Sequence, residues 1–274
     1  MSAASSTATA FARARAEGRA ALVGYFPAGF PDVEGSIRAM TAMVEAGCDV
    51  IEVGLPYSDP VMDGPTIQAA AQQALEGGVR TRDVLRVVEA VADAGAPTVV
   101  MTYWNPVVRY GVEAFARDLA AAGGAGLITP DLTPDSAGEW TAAADAHQLD
   151  KIFLVAPSST DERIAMTTAA CRGFVYATAV MGVTGARATT SELAGPLVER
   201  TKRHTRRGDV DLPVAVGLGV STGDQAAELA SYADGVIVGS AFVRTLLDRP
   251  DDVDAGLADL RKLVGELADG VRRG

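Results

Sequence analysis

Val50-Ile51-Glu52-Val53-Gly54 runs straight into Leu55-Pro56-Tyr57-Ser58-Asp59-Pro60-Val61-Met62-Asp63-Gly64-Pro65. The first five residues read as an apolar strand with one carboxylate in its middle. The rest read as an irregular loop that three prolines stiffen by fixing φ. Short apolar runs of the same kind recur at 21–25, 98–102, 126–129, 152–155, 174–178, 213–216 and 235–239, making eight with 50–54. Most are continuously apolar rather than alternating, as expected of parallel strands covered on both faces.

Amphipathic helical patterns fill the intervals, at 33–46, 81–94, 112–122, 134–147, 161–171, 191–204, 221–231 and 253–267. Thr81, Thr133 and Ser221 stand where N-caps belong, and Gly47, Gly95 and Gly123 follow helix ends. Eight alternations of strand and helix predict an α/β fold, a (β/α)8 TIM barrel, as one domain over residues 1–274. An extra N-terminal helix over 7–19 is placed to close the barrel floor. A doubly wound sheet would carry a G-x-G-x-x-G turn after its first strand, and residues 25–31 lack one.

The chain has 274 residues, 48% hydrophobic and 22% charged, enough apolar content for a large core. With 24 Lys+Arg against 35 Asp+Glu, its net charge of −11 argues against nucleic acid or an anionic membrane as partner. No apolar run reaches the roughly 18 residues of a membrane span. The polar N-terminus is not a secretory signal, and two cysteines make no disulfide framework, so a cytoplasmic location is expected.

In a barrel, chemistry sits on the loops that follow the strands. Glu52, mid-strand, is buried whichever face it takes, and an ionised carboxylate there is costly unless paired. Either an arginine holds it, or desolvation raises its pKa and makes it a proton carrier near neutrality. Asp63 is a turn residue by its local sequence, and an acid–base partner if it meets Glu52. Asp131 either joins the same mouth or supplies charge to a helix N-terminus. The ten residues 181–190 read as a lid. Gly217-Leu218-Gly219-Val220-Ser221 and Gly239-Ser240-Ala241 follow the seventh and eighth strands, where glycines and helix N-termini bind phosphate in many barrels.

Lys151, Lys202 and Lys262 sit away from the strand tips, so no Schiff base is expected. His147 and His204 form no metal-ligand spacing and no triad. Carbon–carbon cleavage by Schiff base or metal is therefore disfavoured, and no metal and no lysine-held cofactor are expected in this chain.

Residues 52–68, through Asp63-Gly64-Pro65-Thr66-Ile67-Gln68, resemble the signature of the tryptophan synthase α subunit family. Gly182-Val183-Thr184-Gly185, Tyr103-Trp104-Asn105-Pro106 and Gly239-Ser240-Ala241 resemble it in place and order. The likeness spans residues 21–267 and departs at Phe30, Met62, Ala179 and Val180. It implies a lyase that cleaves indole-3-glycerol phosphate to indole and glyceraldehyde 3-phosphate. It implies Glu52 as general acid/base, Asp63 bonding the indole N–H, and Tyr176 beside the glutamate. Thr184 would reach from the lid toward Asp63, and Phe26 would line the pocket. Gly185, Gly217, Gly219, Gly239 and Ser240 would cradle the phosphate. The family implies a β subunit carrying pyridoxal phosphate, in an α2β2 tetramer, with Pro56, Asp59 and Asn105 on the contact face. A free-standing lyase and a non-catalytic activating barrel are the alternatives.

Overall fold

The computed structural model describes residues 7–178, 187–207 and 210–274. Its strands are β1 (Ala21–Pro27), β2 (Val50–Gly54), β3 (Thr98–Met101), β4 (Gly126–Ile128), β5 (Asp150–Ile152), β6 (Leu154–Val155), β7 (Val175–Thr178), β8 (Arg206–Arg207), β9 (Val210–Asp211), β10 (Val214–Gly217) and β11 (Gly235–Val238). β8 and β9 form a small antiparallel hairpin that the sequence patterning did not mark. The others form one parallel sheet in the order β5-β4-β3-β2-β1-β11-β10-β7-β6. β5 and β6 are halves of the expected fifth strand, parted at Phe153, whose side chain packs in the outer shell. The two ends of the sheet are thus consecutive in the chain, and the expected eight runs become the staves of a (β/α)8 barrel.

The helices are α1 (Thr7–Ala16), α2 (Val33–Ala46), α3 (Pro65–Glu76), α4 (Thr81–Asp93), α5 (Trp104–Tyr110), α6 (Val112–Ala121), α7 (Gly138–Ala146), α8 (Asp161–Ala170), α9 (Arg187–Lys202), α10 (Gly223–Ala230), α11 (Ser240–Leu247) and α12 (Val253–Val271). α3 was not marked by patterning. Gly64 begins it at the N-cap, Pro65 occupies its first turn, and it buries only small residues, Ala70, Ala71 and Ala74. Two expected caps move by one residue. Arg80 precedes α4, its N–H bonded to the Asp83 carboxylate at 2.8 Å. Thr222, rather than Ser221, caps α10. α9 begins at Arg187, not at Ser191, so residues 187–190 of the expected lid are helical. Residues 181–186 lie outside the described residues.

Two apolar layers result. Ala21, Val23, Val50, Val99, Ile128, Ile152, Phe174, Ala215 and Ile237 fill the bore, and a larger shell lies between strands and helices. α1 closes the floor as expected. Its Phe11 ring packs against Phe174 at 5.1 Å between centroids. A Cβ on Gly235 would stand 2.7 Å from that ring, so the strand needs glycine there. The Asp150 carboxylate accepts the Thr7 N–H at 3.0 Å and the Thr7 hydroxyl at 2.7 Å, tying the first turn of α1 to the bottom of the bore. With the floor sealed, the mouth at the other end of the strands is left for ligand.

Candidate active site

Glu52 projects into the bore near that mouth. In β2, side chains alternate, so Val50, Glu52 and Gly54 share the inner face while Ile51 and Val53 meet the helices. In register, Glu52 lies between Tyr25 of β1 and Val99 of β3. Its residue surface is 1% exposed, and its Oε2 has no hydrogen-bond partner. Among the described residues no arginine or other cation pairs with it. Burial, reinforced by the negative charge of Asp63, pushes its carboxyl up to about 8.

Asp63 belongs to the same site through its loop. Burial raises its pKa, and a hydrogen bond from the Tyr103 hydroxyl partly offsets that rise. The Tyr103 oxygen also accepts the N–H groups of Val61 (3.1 Å) and Met62 (2.9 Å). One buried phenol beyond β3 therefore pins the loop after β2 and orients its carboxylate. Gln68 Nε2 adds a bond to the Asp63 carbonyl at 2.8 Å. Tyr103→Phe is expected to speed amide hydrogen exchange at Val61 and Met62 roughly fivefold, as loss of one ~1 kcal/mol net bond per amide allows. Exchange rates measured by NMR check this; unchanged rates would show that the loop holds without the phenol.

Tyr176, on β7, lies across the bore from β2. Burial, then the charges of Glu52 and Asp63, hold its hydroxyl well above the ordinary phenol value, so it remains an O–H donor. A Cβ on Gly217 would stand 2.4 Å from the Tyr176 oxygen. The glycine in neighbouring β10 thus makes room for the ring.

Phe26 does not line this pocket. β1 continues two residues beyond the expected end, pairing Phe26 with Val53 and Pro27 with Gly54. Phe26 therefore faces the helices, fully buried 5.9 Å from the Phe30 ring. Tyr25 faces the bore instead, a site residue missed in the sequence. Its signal was parity: Ala21, Val23 and Tyr25 share a face. Tyr103 was quoted only within a motif, because its partners lie some forty residues away.

At the other side of the mouth, Gly219 has φ +72 and open space where a Cβ would be. Gly239 is the N-cap of α11 and makes no side-chain cap bond to its first turn, where Ser240 stands. The carboxylate of Asp131 accepts the Trp104 N–H at 2.9 and 3.1 Å, so it supports the N-terminus of α5 rather than the mouth. Thr184 and Gly185 lie outside the described residues. Among the described residues, no three His, Cys, Asp or Glu side chains converge as metal ligands.

Pro56 is buried, whereas Asp59 and Asn105 are exposed on the rim. Asn105 Nδ2 donates to the Tyr57 hydroxyl at 3.3 Å, and Ser58 Oγ to Asp59 at 2.5 Å. Beside them Val61 (80% exposed), Met62 and Val108 present apolar surface. Isolated apolar residues are ordinary on a surface; here three stand on the loop and helix that border one mouth.

Residues 11–272 match the family model described as tryptophan synthase alpha chain. The chain is 67% identical over 263 residues to the tryptophan synthase alpha chain of Salinispora tropica, covering 96% of each. It is 64% identical to that of Thermobifida fusca, covering 95% of this chain and 96% of the relative. Among solved structures, Mycobacterium tuberculosis tryptophan synthase superposes with a TM-score of 0.89 at 61% identity, over 99% of this chain and 100% of that one. The alpha subunit from Legionella pneumophila superposes at 0.86 with 28% identity, over 98% and 99%.

Proposed function

The chain belongs to the tryptophan synthase alpha chain family, and on that premise we propose how its residues divide the work. It is a lyase of tryptophan biosynthesis that cleaves indole-3-glycerol phosphate to indole and glyceraldehyde 3-phosphate. Its partner is a tryptophan synthase beta subunit.

Cleavage breaks the bond between indole C3 and the glycerol chain. The ring must first accept a proton at C3, giving an indolenine whose C=N can take up the electron pair. The glycerol hydroxyl next to the breaking bond must then lose its proton, so that a carbonyl forms as the pair moves into the ring. In the proposed division, Glu52 delivers the first proton and its carboxylate helps to remove the second. A carboxyl with a pKa of about 8 is protonated at neutral pH, which suits the donor step. Asp63, oriented by Tyr103, accepts the indole N–H and stabilises the positive charge that develops at nitrogen. Tyr176 and Tyr25 wall the pocket.

Gly219, Gly239 and Ser240, with Gly185, take the phosphate, and Thr184 reaches toward Asp63. Gly217 contributes by admitting Tyr176. We further propose that the chain needs no cofactor of its own, pyridoxal phosphate being the beta subunit's. The assembly is taken as an α2β2 tetramer joined through Pro56, Asp59 and Asn105, in the cytoplasm. Among the described residues, no helix is long and apolar enough to cross a membrane.

The observation that carries the mechanism is the buried carboxyl of Glu52, whose Oε2 finds no hydrogen-bond partner among the described residues and on which the charge of Asp63 acts. Incubating the chain with indole-3-glycerol phosphate, with and without a beta subunit, is expected to release indole in both cases and faster with the partner. Indole release at one rate regardless of partner would favour a free-standing lyase. No release in either case would leave only an activating barrel.

A further inference from the structure

The ring of Tyr25 lies in a trough between glycines on the strands flanking β1. A Cβ on Gly54 would stand 2.3 Å from the Tyr25 oxygen and 2.6 Å from Cζ. A Cβ on Gly239, just past β11, would stand 3.3 Å from Cδ1. Gly54 is the next inward position after Glu52 on β2, about 6–7 Å nearer the mouth at the usual rise per strand residue. The ring therefore fills the space that a side chain would take immediately above the carboxylate. Its other end borders the corner where α11 begins.

We propose that Tyr25 is a positioning residue whose ring closes the mouth side of Glu52 against water and separates it from the phosphate corner. This rests on Glu52 being the acid/base. The groups facing Glu52 are Tyr25 from β1, Tyr176 from β7 and Asp63 from the loop after β2. The charged group acting on Glu52 is Asp63, and it acts in the same direction as burial. Admitting water weakens the larger of these effects and leaves the smaller. The glutamate should then titrate nearer the ordinary carboxylate range.

The test uses the full chain carrying 13C-labelled glutamate carboxyls, with the Glu52 signal assigned by its loss in Glu52→Gln. In Tyr25→Ala the Glu52 titration is expected to fall by about one unit or more, because desolvation of a buried acid is relieved. Indole release should drop roughly tenfold or more, with the alkaline limb of its pH profile moving down in step. Tyr25→Phe keeps the ring and should keep both values. Gly54→Ala leaves Tyr25 in the chain but forces its ring from the trough, and should shift the titration in the same direction as Tyr25→Ala. It also serves if the alanine variant of Tyr25 does not fold.

A Glu52 titration unchanged in both Tyr25→Ala and Gly54→Ala would overturn the proposal. So would a Tyr25→Phe variant as strongly shifted as Tyr25→Ala, since the hydroxyl would then be the agent. If Glu52→Gln retained indole release, the role of Glu52 would fall instead, and the titration would still report on the wall.

Discussion

Glu52→Gln is expected to lower indole release by three orders of magnitude or so while the chain stays folded, the scale on which a positioned acid/base contributes. Glutamine fills the same space in the bore but can neither give a proton to indole C3 nor take one from the glycerol hydroxyl. Asp63→Asn should cost nearly as much, since an amide cannot balance positive charge at the indole nitrogen. In the unmodified chain, activity should fall above about pH 8 as Glu52 loses its proton before substrate arrives. It should also fall at acid pH as Asp63, its own pKa raised by burial, becomes protonated. Assays of indole formation on each variant across pH test both assignments. Near-normal turnover in Glu52→Gln would remove Glu52 from the chemistry.

The same substitution should make the protein more stable in alkali. The folded-state pKa of Glu52 is raised from 4.5 to about 8, so between those values the folded chain holds a proton that the unfolded chain has released. Stability therefore declines as pH rises through this window, and the penalty is complete above about 8. Glutamine carries no such penalty. The variant should exceed the parent by roughly 3–5 kcal/mol above the window and by little below it, by the conversion of pKa shift to free energy. Denaturation at the two pH extremes would reveal this crossover. A group kept at such a cost in folding is the signature expected of function rather than architecture.

Much of this site was legible because its parts are local. Glu52 is conspicuous in an apolar run, and the glycines after the seventh and eighth strands fall where a barrel places its phosphate loops. What escaped was set by parity and by distance. Ending the first strand at Tyr25 detached Phe26 from its alternation, and two further residues of pairing with β2 send Phe26 outward. Phe153 parts the fifth strand, and that strand opens on Asp150, a polar residue needed to hold Thr7, 143 residues earlier. Asp131 serves a helix that begins 27 residues before it. No local periodicity encodes such pairings; they follow once the barrel has closed.

Asp49→Ala is expected to be the most damaging substitution remote from the mouth, at about 3–5 kcal/mol, the usual cost of stripping one partner from a buried ion pair. Asp49 immediately precedes β2, at the floor, and is 3% exposed. It accepts Arg19 Nη1 at 2.6 Å and Nη2 at 2.8 Å, the Leu22 N–H at 2.9 Å, and Arg13 Nη2 at 3.2 Å. Burial alone would raise its pKa, but the bonds from Arg19, Leu22 and Arg13 outweigh it and hold the carboxyl below its ordinary value. The alanine variant leaves the Arg19 guanidinium, 8% exposed, without that partner, and leaves the first residues of β1 without their tether. Because the folded pKa is depressed, the contribution of Asp49 is full above the ordinary carboxylate pKa and is lost as pH falls through the folded value. Urea denaturation should thus show a large gap between parent and variant at neutral pH that narrows in acid. Asp49→Leu combined with Arg19→Met should lose less than Asp49→Ala alone, since it removes both charges and restores apolar packing. The folded fraction of each variant should still release indole, because the floor holds the barrel shut while the reaction takes place at its opposite end. Equal gaps at neutral and acid pH would show that Asp49 acts through packing and not through its charge.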